Sequence, residues 1–364
     1  MHITAIELHD FRSHGLLELT PGPMTVFVGP NASGKSNVLE AMEIVSTGRS
    51  FRSPRWPDVV AWGRAHATVH MEASGETPGV DVEVVISSEG KRTWRSGGVT
   101  RRRSTEATRY VPAVTFTPQD LDIVKGPAEG RRVTIDLLGD QLSSTYGVLR
   151  RSYARVIRQR NALLKEGDAR EQLDPWDEQL IDLGARLHVH RRRLVARVAD
   201  EATRIYAGLT GGESLAVAID DRCGVGVSGP GEPLETADVR SCITAEIGVR
   251  RPDEEVRKVS LVGPHRDDLI FTVDGKDART FASQGQQRTI ALALKWAEVA
   301  VITDVLRRRP ILLLDDVMSE LDETRRKALA GMMQQEVQTF VTTTTPAYFE
   351  ETVLGQATMV DLGA

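Results

Sequence analysis

Cysteine is scarce in this chain, since only Cys223 and Cys242 occur among 364 residues. Small secreted domains with weak cores need several disulfides, and zinc modules need closely spaced cysteine and histidine ligands. The two cysteines have no metal or redox spacing, so we expect both to be reduced and structural. The chain is long enough for one large or two modest domains with a sizeable core.

Long apolar runs are also missing. No run approaches the roughly 20 residues that a membrane-spanning helix needs. Residues 1–8 alternate between apolar and polar side chains, as in a strand, and carry no basic leader. We therefore expect a cytoplasmic protein without a membrane partner.

A strong excess of one charge is absent too, because the formal net charge is −5. Arginines nevertheless cluster in short stretches, at 49–55, 101–103, 131–132, 150–160 and 191–193. Such clusters can follow the phosphate backbone of a nucleic acid. Each cluster alone is more often a solvated protein face, so it is their number that favours a polyanionic partner.

The most informative motif that is present runs from Gly29 to Ser36 and fits the G-x-x-x-x-G-K-[ST] phosphate-binding loop. A buried strand is predicted before it, at 24–28, and apolar residues at helical spacing follow it. A glycine turn that opens a helix binds anions, because its N–H groups and the helix dipole favour negative charge. We expect Lys35 to reach the β- and γ-phosphates of a nucleoside triphosphate and Ser36 to ligate Mg²⁺. The candidate cofactor-binding residues are Gly29, Pro30, Asn31, Ala32, Ser33, Gly34, Lys35, Ser36 and Asn37.

A second apolar strand, predicted at 310–316, ends in the two carboxylates Asp315 and Asp316. In P-loop enzymes the first such carboxylate helps to hold Mg²⁺. The second is placed to orient or deprotonate an attacking water. A strand can end in aspartate at any turn, but the pairing with the loop at Gly29 favours Asp315 as a metal ligand and Asp316 as the catalytic carboxylate.

Two further segments complete an order of motifs. Ser283 begins the run Ser-Gln-Gly-Gln-Gln-Arg and is a plausible N-cap of a helix, which makes a second phosphate-seeking helix start. The turn Ser-Glu-Leu-Asp, at 319–322, follows the double carboxylate. Each segment alone is a weak signal. Their order is informative: phosphate loop, long insertion, glycine-bearing helix start, carboxylate strand and polar turn.

The remaining pattern is that of an α/β protein. Strands are predicted at 80–86, 92–95, 215–219 and 268–273. Apolar spacing predicts one helix over 145–164 and a longer one over 175–207, with a breaker between them. Two helices joined by a short loop predict an antiparallel hairpin of modest length. Asp274-Gly275 is typical of a tight turn between strands.

The order of motifs resembles the ATP-binding-cassette heads of the SMC type, with Ser283 at the signature motif and 319–322 at the D-loop. Within that superfamily the chain is similar to the RecF family of bacterial recombination mediators. The residues that carry this likeness lie at 10–12, 29–37, 39–41, 48–52, 116–121, 124–126, 131–132, 159–164, 176–177, 263–268, 283–288 and 313–322. The runs Gly-Pro-His-Arg-Asp-Asp and Ser-Gln-Gly-Gln-Gln-Arg are far more specific than the phosphate loop.

The resemblance implies an α/β fold, namely an ABC/SMC-type P-loop ATPase head with an inserted helical lobe that contains a short antiparallel hairpin. It assigns 1–125 and 209–364 to the head and 126–208 to the lobe. It also implies that ATP is held between two copies of the chain, since each has one phosphate loop and one signature. The residues expected to complete the partner's nucleotide site are Ser283, Gly285, Gln286 and Asp322.

The resemblance adds two single-residue expectations. Gln119 stands at the Q-loop and is expected to sense Mg²⁺ and water. Arg12, after the first strand, is expected to reach an ATP phosphate, although an ordinary surface arginine is an equal alternative. Many cassette ATPases have glutamate where this chain has Asp316, and the shorter side chain fits slow turnover.

One residue of the family pattern is missing and one histidine is excluded as a ligand. Many cassette ATPases place a switch histidine where this chain has four threonines, at 342–345, which leaves a threonine hydroxyl as a substitute. His265, in the Gly-Pro-His-Arg-Asp run, has no second ligand at useful spacing. We therefore reject a zinc site at His265.

The function implied by the resemblance is ATP-dependent binding to gapped, single-stranded and duplex DNA in recombinational repair. RecR and RecO are the implied partners, RecA loading is the implied outcome, and roles in replication restart and the SOS response follow. ATP hydrolysis is expected to be weak, stimulated by DNA and used as a switch. The candidate DNA contacts are Arg49, Arg52, Arg55, Arg101, Arg102 and Arg103.

Two other functions stay open. A transporter-type nucleotide-binding subunit would share the phosphate loop, but the helical hairpin and the Gly-Pro-His-Arg-Asp run argue against it. A RecF-like ATPase diverted to another task, such as phage defence, would share every motif.

Overall fold

The structure is a computed structural model. It describes residues 1–53, 55–75, 79–101, 111–167, 170–225, 234–333, 337–349 and 354–363. The chain forms two compact units. Unit 1 comprises Met1–Leu121 and Glu298–Ala364, and unit 2 comprises Asp122–Ala297.

The strands of unit 1 lie before and after those of unit 2 in the sequence. The strands are β1 (His2–Phe11), β2 (His14–Leu19), β3 (Met24–Val28), β4 (His66–Ser74), β5 (Val80–Ser87), β6 (Arg92–Ser96), β7 (Val99–Arg101), β8 (Ala113–Phe116), β9 (Leu215–Asp220), β10 (Asp268–Val273), β11 (Lys276–Asp277), β12 (Ile311–Asp315), β13 (Thr339–Thr343) and β14 (Thr358–Asp361). Strands β9 to β11 belong to unit 2 and the others to unit 1.

The helices are concentrated between residues 128 and 306. They are α1 (Lys35–Thr47), α2 (Ala128–Leu142), α3 (Ser144–Glu166), α4 (Arg170–Thr210), α5 (Thr236–Arg257), α6 (Ala278–Phe281), α7 (Gln284–Leu306) and α8 (Glu323–Met333). Short 3₁₀ turns lie at Pro118–Asp122, Pro264–Arg266 and Val317–Glu320. In the described part of the chain, no helix is both long and apolar enough to cross a membrane.

Unit 1 is built from two sheets with α1 packed against strands of both. One sheet is antiparallel, in the order β2-β1-β4-β5-β6-β7, and the other is parallel, in the order β14-β3-β13-β12-β8. Helix α1 carries apolar residues on nearly all sides, and Val38, Leu39, Met42 and Val45 are all buried. It therefore joins the two sheets in one hydrophobic core.

Unit 2 contains a three-stranded antiparallel sheet, β11-β10-β9, and the helices α2 to α6. Asp274 and Gly275 connect β10 to β11 with φ angles of 47° and 76°, and these two positive values define the tight turn that the Asp-Gly pair predicts. Helices α3 and α4 pack side by side as the predicted hairpin. Helix α4 begins at Arg170, before the predicted start at Pro175, so Pro175 lies inside the helix, where it lacks the N–H for one intrahelical hydrogen bond.

The observed architecture confirms the α/β prediction, but the compact units divide the chain differently from the predicted head and lobe. The stretch 209–297, which the sequence analysis grouped with the head, packs with 122–208. Strand pairing and side-chain bonds explain the difference. Strand β9 lies against α4, where Thr203 donates to the Leu215 carbonyl at 2.7 Å, and Asp268 of β10 accepts two hydrogen bonds from Arg131 of α2.

Candidate nucleotide-binding site

The carboxyl ends of four parallel strands bring the predicted nucleotide residues of unit 1 to one edge of its sheet. The last residue of β3, Val28, pairs with Thr343, while Asp315 at the end of β12 pairs with Thr342. At the end of β8, Phe116 pairs with Leu314. Ligands of parallel α/β sheets bind at this edge, so the fold places the phosphate loop beside both carboxylates.

The phosphate loop follows β3 directly and is closed by a backbone that only glycine fits. Gly34 has a φ angle of 96°, and a Cβ atom there would lie 2.7 Å from both His14 Nε2 and Ser13 Oγ. Ala32 also has a positive φ angle, 68°. Helix α1 begins at Lys35, immediately after the turn, so its first N–H groups point into the loop.

The Lys35 side chain is enclosed by its own loop. Its ammonium nitrogen donates to the carbonyl oxygens of Gly29, at 2.7 Å, and Pro30, at 2.8 Å. Ser33 Oγ is buried and has no hydrogen-bond partner among the described residues. A cation and a buried hydroxyl therefore lie beside the start of helix α1, and a charged donor at a helix N-terminus is the chemistry that recognises phosphate.

Thr342 links the two carboxylates at the end of β12. Its hydroxyl donates to Asp315 Oδ1 at 2.9 Å and accepts from the backbone N–H of Asp316, also at 2.9 Å. The threonine is fully buried, so this bond is shielded from water. The sequence suggested a threonine hydroxyl as a substitute for a switch histidine, but not this contact.

Asp316 differs from Asp315 in backbone and in charge environment. Its φ angle of 51° lies in the left-handed region, which aspartate tolerates better than most residues. Burial raises the pKa of Asp316, the adjacent Asp315 carboxylate adds to the rise, and Lys35 opposes it. Its Oδ1 atom is buried without a partner among the described residues. A carboxylate with a raised pKa and an unused oxygen is suited to accept a proton from water.

The donor set at this edge fits a magnesium ion. Mg²⁺ prefers carboxylate and other oxygen ligands and is bound in such sites by one or two protein groups together with nucleotide phosphates. Asp315 and the Ser36 hydroxyl at the start of α1 are the protein oxygens that would hold it. The Asp315 carboxylate is also fixed by Thr342, as metal-binding carboxylates usually are.

Arg12 lies close to the phosphate loop but is tied to another partner. Its guanidinium makes two hydrogen bonds to the buried Glu40 of α1, at 2.6 and 3.0 Å, and one to the carbonyl of Asp58 at 2.7 Å. Ser50 donates to the same carboxylate at 2.5 Å. The contact of Arg12 with an ATP phosphate stays a prediction, and Glu40 is a residue that the sequence analysis did not select.

Gln119 is exposed on the 3₁₀ turn that follows β8. The turn is fixed by Asp120, whose carboxylate accepts from the backbone N–H and the hydroxyl of Thr117 at 2.8 and 2.9 Å. The predicted role of Gln119 at the metal is compatible with the position of this turn, directly after a strand of the parallel sheet.

The predicted signature segment lies in unit 2, at the start of α7. Ser283 and Gln286 form a reciprocal cap: the Ser283 hydroxyl accepts from the Gln286 N–H at 3.1 Å, and the Gln286 side chain accepts from the Ser283 N–H at 2.9 Å. Ser283 is exposed, and Gly285 is half-buried. In unit 1, Asp322 caps α8 by accepting from the Arg325 N–H at 2.9 Å. Both segments present polar groups to solvent.

The candidate DNA contacts fall partly outside the described residues. Arg102 and Arg103 lie outside them, and Arg101 ends β7. Arg52 donates to Asn37 and is half-exposed, while Arg55 is exposed and lies 3.8 Å from Asp58. The DNA role of all these arginines stays a prediction.

Three of the arginine clusters contain side chains that are buried, so their polyanion-binding interpretation needs correction. Arg131 binds Asp268, Arg160 binds Asp177 and Glu254, and Arg191 binds Asp136 and Asp267. These side chains satisfy buried carboxylates instead of facing solvent.

Residues of the Gly-Pro-His-Arg-Asp-Asp run, at 263–268, form hydrogen bonds with several other segments of unit 2. Asp267 accepts from His188, Arg191 and the Arg222 N–H at 3.0–3.2 Å. His265 is held between the Tyr153 hydroxyl, at 2.7 Å, and the Ser260 carbonyl, at 3.1 Å. Both ring nitrogens of His265 thus have hydrogen-bond partners, and the rejection of a zinc site at His265 stays a prediction.

Comparisons with known proteins agree with this geometry. The model of the RecF/RecN/SMC N-terminal domain family matches residues 2–361. A protein of Gloeobacter violaceus named DNA replication and repair protein RecF is 38% identical over all of this chain and 97% of its own length. The protein of that name from Symbiobacterium thermophilum is 39% identical over 94% of this chain and 92% of its own, and that from Bacillus subtilis 34% over 99% and 97%.

Solved structures give the same result. A structure described as the recombination mediator protein RecF with ATPrS in the RecFOR pathway superposes with a TM-score of 0.88 at 28% identity, covering 96% of this chain and 94% of that one. An SMC head bound to ScpA superposes with a TM-score of 0.56 at 17% identity, covering 99% and 94%, and shows the fold alone. Fold and site thus define an SMC-type, ABC-class P-loop ATPase head. Within that class, the chain belongs to the RecF family.

Proposed function

We propose that the chain is an ATP-dependent DNA-binding protein of recombinational repair. The observation that carries the proposal is the meeting of Lys35, Asp315 and Asp316 at one sheet edge in a chain that is similar to RecF over its full length. The same full-length similarity argues against a transporter-type subunit.

ATP and Mg²⁺ are the proposed cofactors. The N–H groups of the loop and Lys35 bind the phosphates, and Ser36 and Asp315 hold the metal, which when bound neutralises phosphate charge and orients the γ-phosphate. Asp316 would accept the proton of an attacking water, and Gln119 is proposed to sense Mg²⁺ and water. Thr342 holds Asp315 in place and fixes the backbone of Asp316.

Two copies of the chain are proposed to close over ATP. The exposed helix start capped by Ser283 suits phosphates bound by a second copy, and the exposed Asp322 turn is proposed to complete the same site. Hydrolysis, as a slow DNA-stimulated switch, then separates the two copies.

DNA is the proposed partner, in gapped, single-stranded and duplex forms. RecR and RecO are proposed protein partners because similar structures are described within the RecFOR pathway. RecA loading, replication restart and the SOS response are the proposed consequences in a cytoplasmic setting.

The decisive experiment measures DNA affinity against salt, with and without ATP, on duplex, single-stranded and gapped oligonucleotides. We expect ATP to strengthen binding and salt to weaken it steeply, because phosphate contacts release counterions. A protein that binds none of these DNAs in an ATP-dependent manner would refute the proposal.

A further inference from the structure

Trp62 is the most exposed large hydrophobic side chain among the described residues of unit 1. It is fully exposed, at 102% of its reference area. Tryptophan is seldom left so open to water, because its ring carries a large apolar area. Trp56, in contrast, is covered by the Arg92 guanidinium at 4.2 Å from its ring centroid.

The turn that carries Trp62 is tightly fixed. The Arg64 N–H donates to the Ala61 carbonyl at 3.0 Å, and Gly63 supplies a φ angle of 78° at the third position, as a type II turn requires. The Ala61 N–H donates to the Asp10 carbonyl at 2.8 Å, which fastens the turn to the end of β1. The ring is therefore displayed by a rigid backbone.

Arg12, two residues after Asp10, connects the segment before this turn to helix α1, which begins at Lys35. The Arg12 N–H donates to the Val59 carbonyl at 2.8 Å, and the Arg12 side chain binds Glu40 of α1. Trp62 thus lies three residues from a segment whose position depends on the helix that begins at Lys35.

Exposed arginines flank Trp62 in the sequence. Arg55 and Arg64 are 76% and 62% exposed, and they lie 3.8 Å from Asp58 and 3.2 Å from Asp10, respectively. The stretch 49–64 also contains Arg49 and Arg52, so the stretch itself carries four arginines and one acidic residue, Asp58. A protein-binding hot spot is surrounded by other apolar groups, whereas Trp62 is the only exposed large hydrophobic residue described within 49–64.

We infer that Trp62 is a stacking platform for an unpaired nucleotide base, with Arg55 and Arg64 contacting the adjoining phosphates. An aromatic face beside arginines is the arrangement that binds single strands without sequence preference. This inference rests on the proposed DNA-binding function and specifies the single-stranded part of a gapped substrate as the ligand of this surface.

The test compares a thymine oligonucleotide with an abasic strand of equal length, which keeps every phosphate and removes the bases. Binding is measured by fluorescence anisotropy for the wild type, Trp62→Ala, Trp62→Phe and Leu16→Ala, the last being an exposed apolar residue of β2. We expect Trp62→Ala to weaken binding of the thymine strand roughly 5- to 150-fold, the loss of one stacked base. Trp62→Phe and Leu16→Ala should stay close to the wild type.

The abasic strand separates stacking from a general defect. It should bind the wild type and Trp62→Ala equally, and ATP affinity should be unchanged in Trp62→Ala. Equal binding of the thymine strand by the wild type and Trp62→Ala, or an equal loss on both strands, overturns the inference while the proposed function stands. Intact DNA binding with loss of a protein partner overturns it in favour of a protein interface. A wild type that binds no DNA overturns both.

Discussion

Thr342 Oγ1 lies 2.9 Å from Asp315 Oδ1, across the residue pair that joins β13 to β12. The same hydroxyl accepts from the Asp316 N–H. One buried side chain therefore orients the proposed metal ligand and fixes the backbone of the proposed catalytic carboxylate.

Removal of this hydroxyl should weaken the response to Mg²⁺. We expect Thr342→Val to lower Mg²⁺-dependent ATP affinity and hydrolysis roughly 10- to 100-fold, the usual effect of losing a partner of a metal ligand. Thr342→Ser should retain most of both. Thr339→Val is the matched control, because Thr339 is a buried threonine of the same strand whose hydroxyl donates to the nearby Val337 carbonyl. The test is to measure ATP affinity as a function of Mg²⁺ concentration. If Thr342→Val requires the same Mg²⁺ concentration as the wild type, the prediction is wrong.

Asp316 should control hydrolysis but not ATP binding. Asp316→Asn keeps the size of the side chain and cannot accept a proton, so we expect hydrolysis to fall about 100-fold or more while nucleotide affinity persists. Because burial and Asp315 raise the pKa of Asp316, wild-type hydrolysis should decline on acidification at a higher pH than an ordinary aspartate with a pKa of 3.8 would produce. If Asp316→Asn hydrolyses ATP at the wild-type rate, another group accepts the proton of the attacking water.

Substitutions of Lys35 and Ser283 should affect different steps, the first ATP binding and the second the pairing of two copies. We expect Lys35→Met to lose ATP binding, because the loop then lacks its ammonium group. Ser283→Arg should bind ATP as a monomer but fail to pair, since the new side chain obstructs the exposed helix start. Ser241→Arg, at an exposed serine of α5, is the control. Sedimentation with and without ATP tests this, and a wild type that remains monomeric at every ATP concentration contradicts the pairing.

The strands and helices that the sequence analysis named agree with the structure to within about five residues, because their signals are local, whereas helices α2, α5 and α8 were not predicted. Strand β3 has the predicted ends, Met24 and Val28, since a five-residue apolar run meets a glycine turn. Strand β10 likewise spans the predicted 268–273, since the Asp-Gly turn sets its end. The order of motifs was sufficient to propose Lys35, Asp315 and Asp316 together.

The buried charge networks could not be predicted, because their partners are distant in sequence. Arg160 binds Asp177, Glu254 and Ser260, which are 17, 94 and 100 residues away. Along the chain it belongs to an arginine-rich stretch that is typical of a solvated or phosphate-binding face. Its burial became evident only when helices α3, α4 and α5 were placed together.

Loss of the Arg160 side chain should destabilise unit 2 strongly. Arg160→Met leaves the buried Glu254 carboxylate without its ion-pair partner and Asp177 with Arg251 alone, and breaking a buried pair typically costs about 3–5 kcal/mol. Arg204→Met removes an exposed pair with Glu201 and should cost less than about 1 kcal/mol. Urea unfolding measures both, and equal midpoints for the two variants would show that the buried network contributes little.

His265 should make folding stability depend on pH. Burial lowers the pKa of His265 from 6.5 to about 4, and the nearby Arg266 adds to the lowering. The unfolded chain therefore takes up a proton between these values that the folded chain does not hold. Stability should be complete above pH 6.5 and fall as the pH drops towards 4, by up to about 1.4 kcal/mol per pH unit.

His265→Gln removes this titration while keeping a group that can bond to the Ser260 carbonyl. We expect its unfolding free energy to start lower than that of the wild type at pH 7.5 and to change less between pH 6.5 and 4. Asp267 contributes at more acidic pH: burial alone would raise its pKa, but the hydrogen bond from His188 and the charge of Arg191 lower it. Parallel pH profiles for the wild type and His265→Gln, measured by urea unfolding, would show that folding does not lower the pKa of His265.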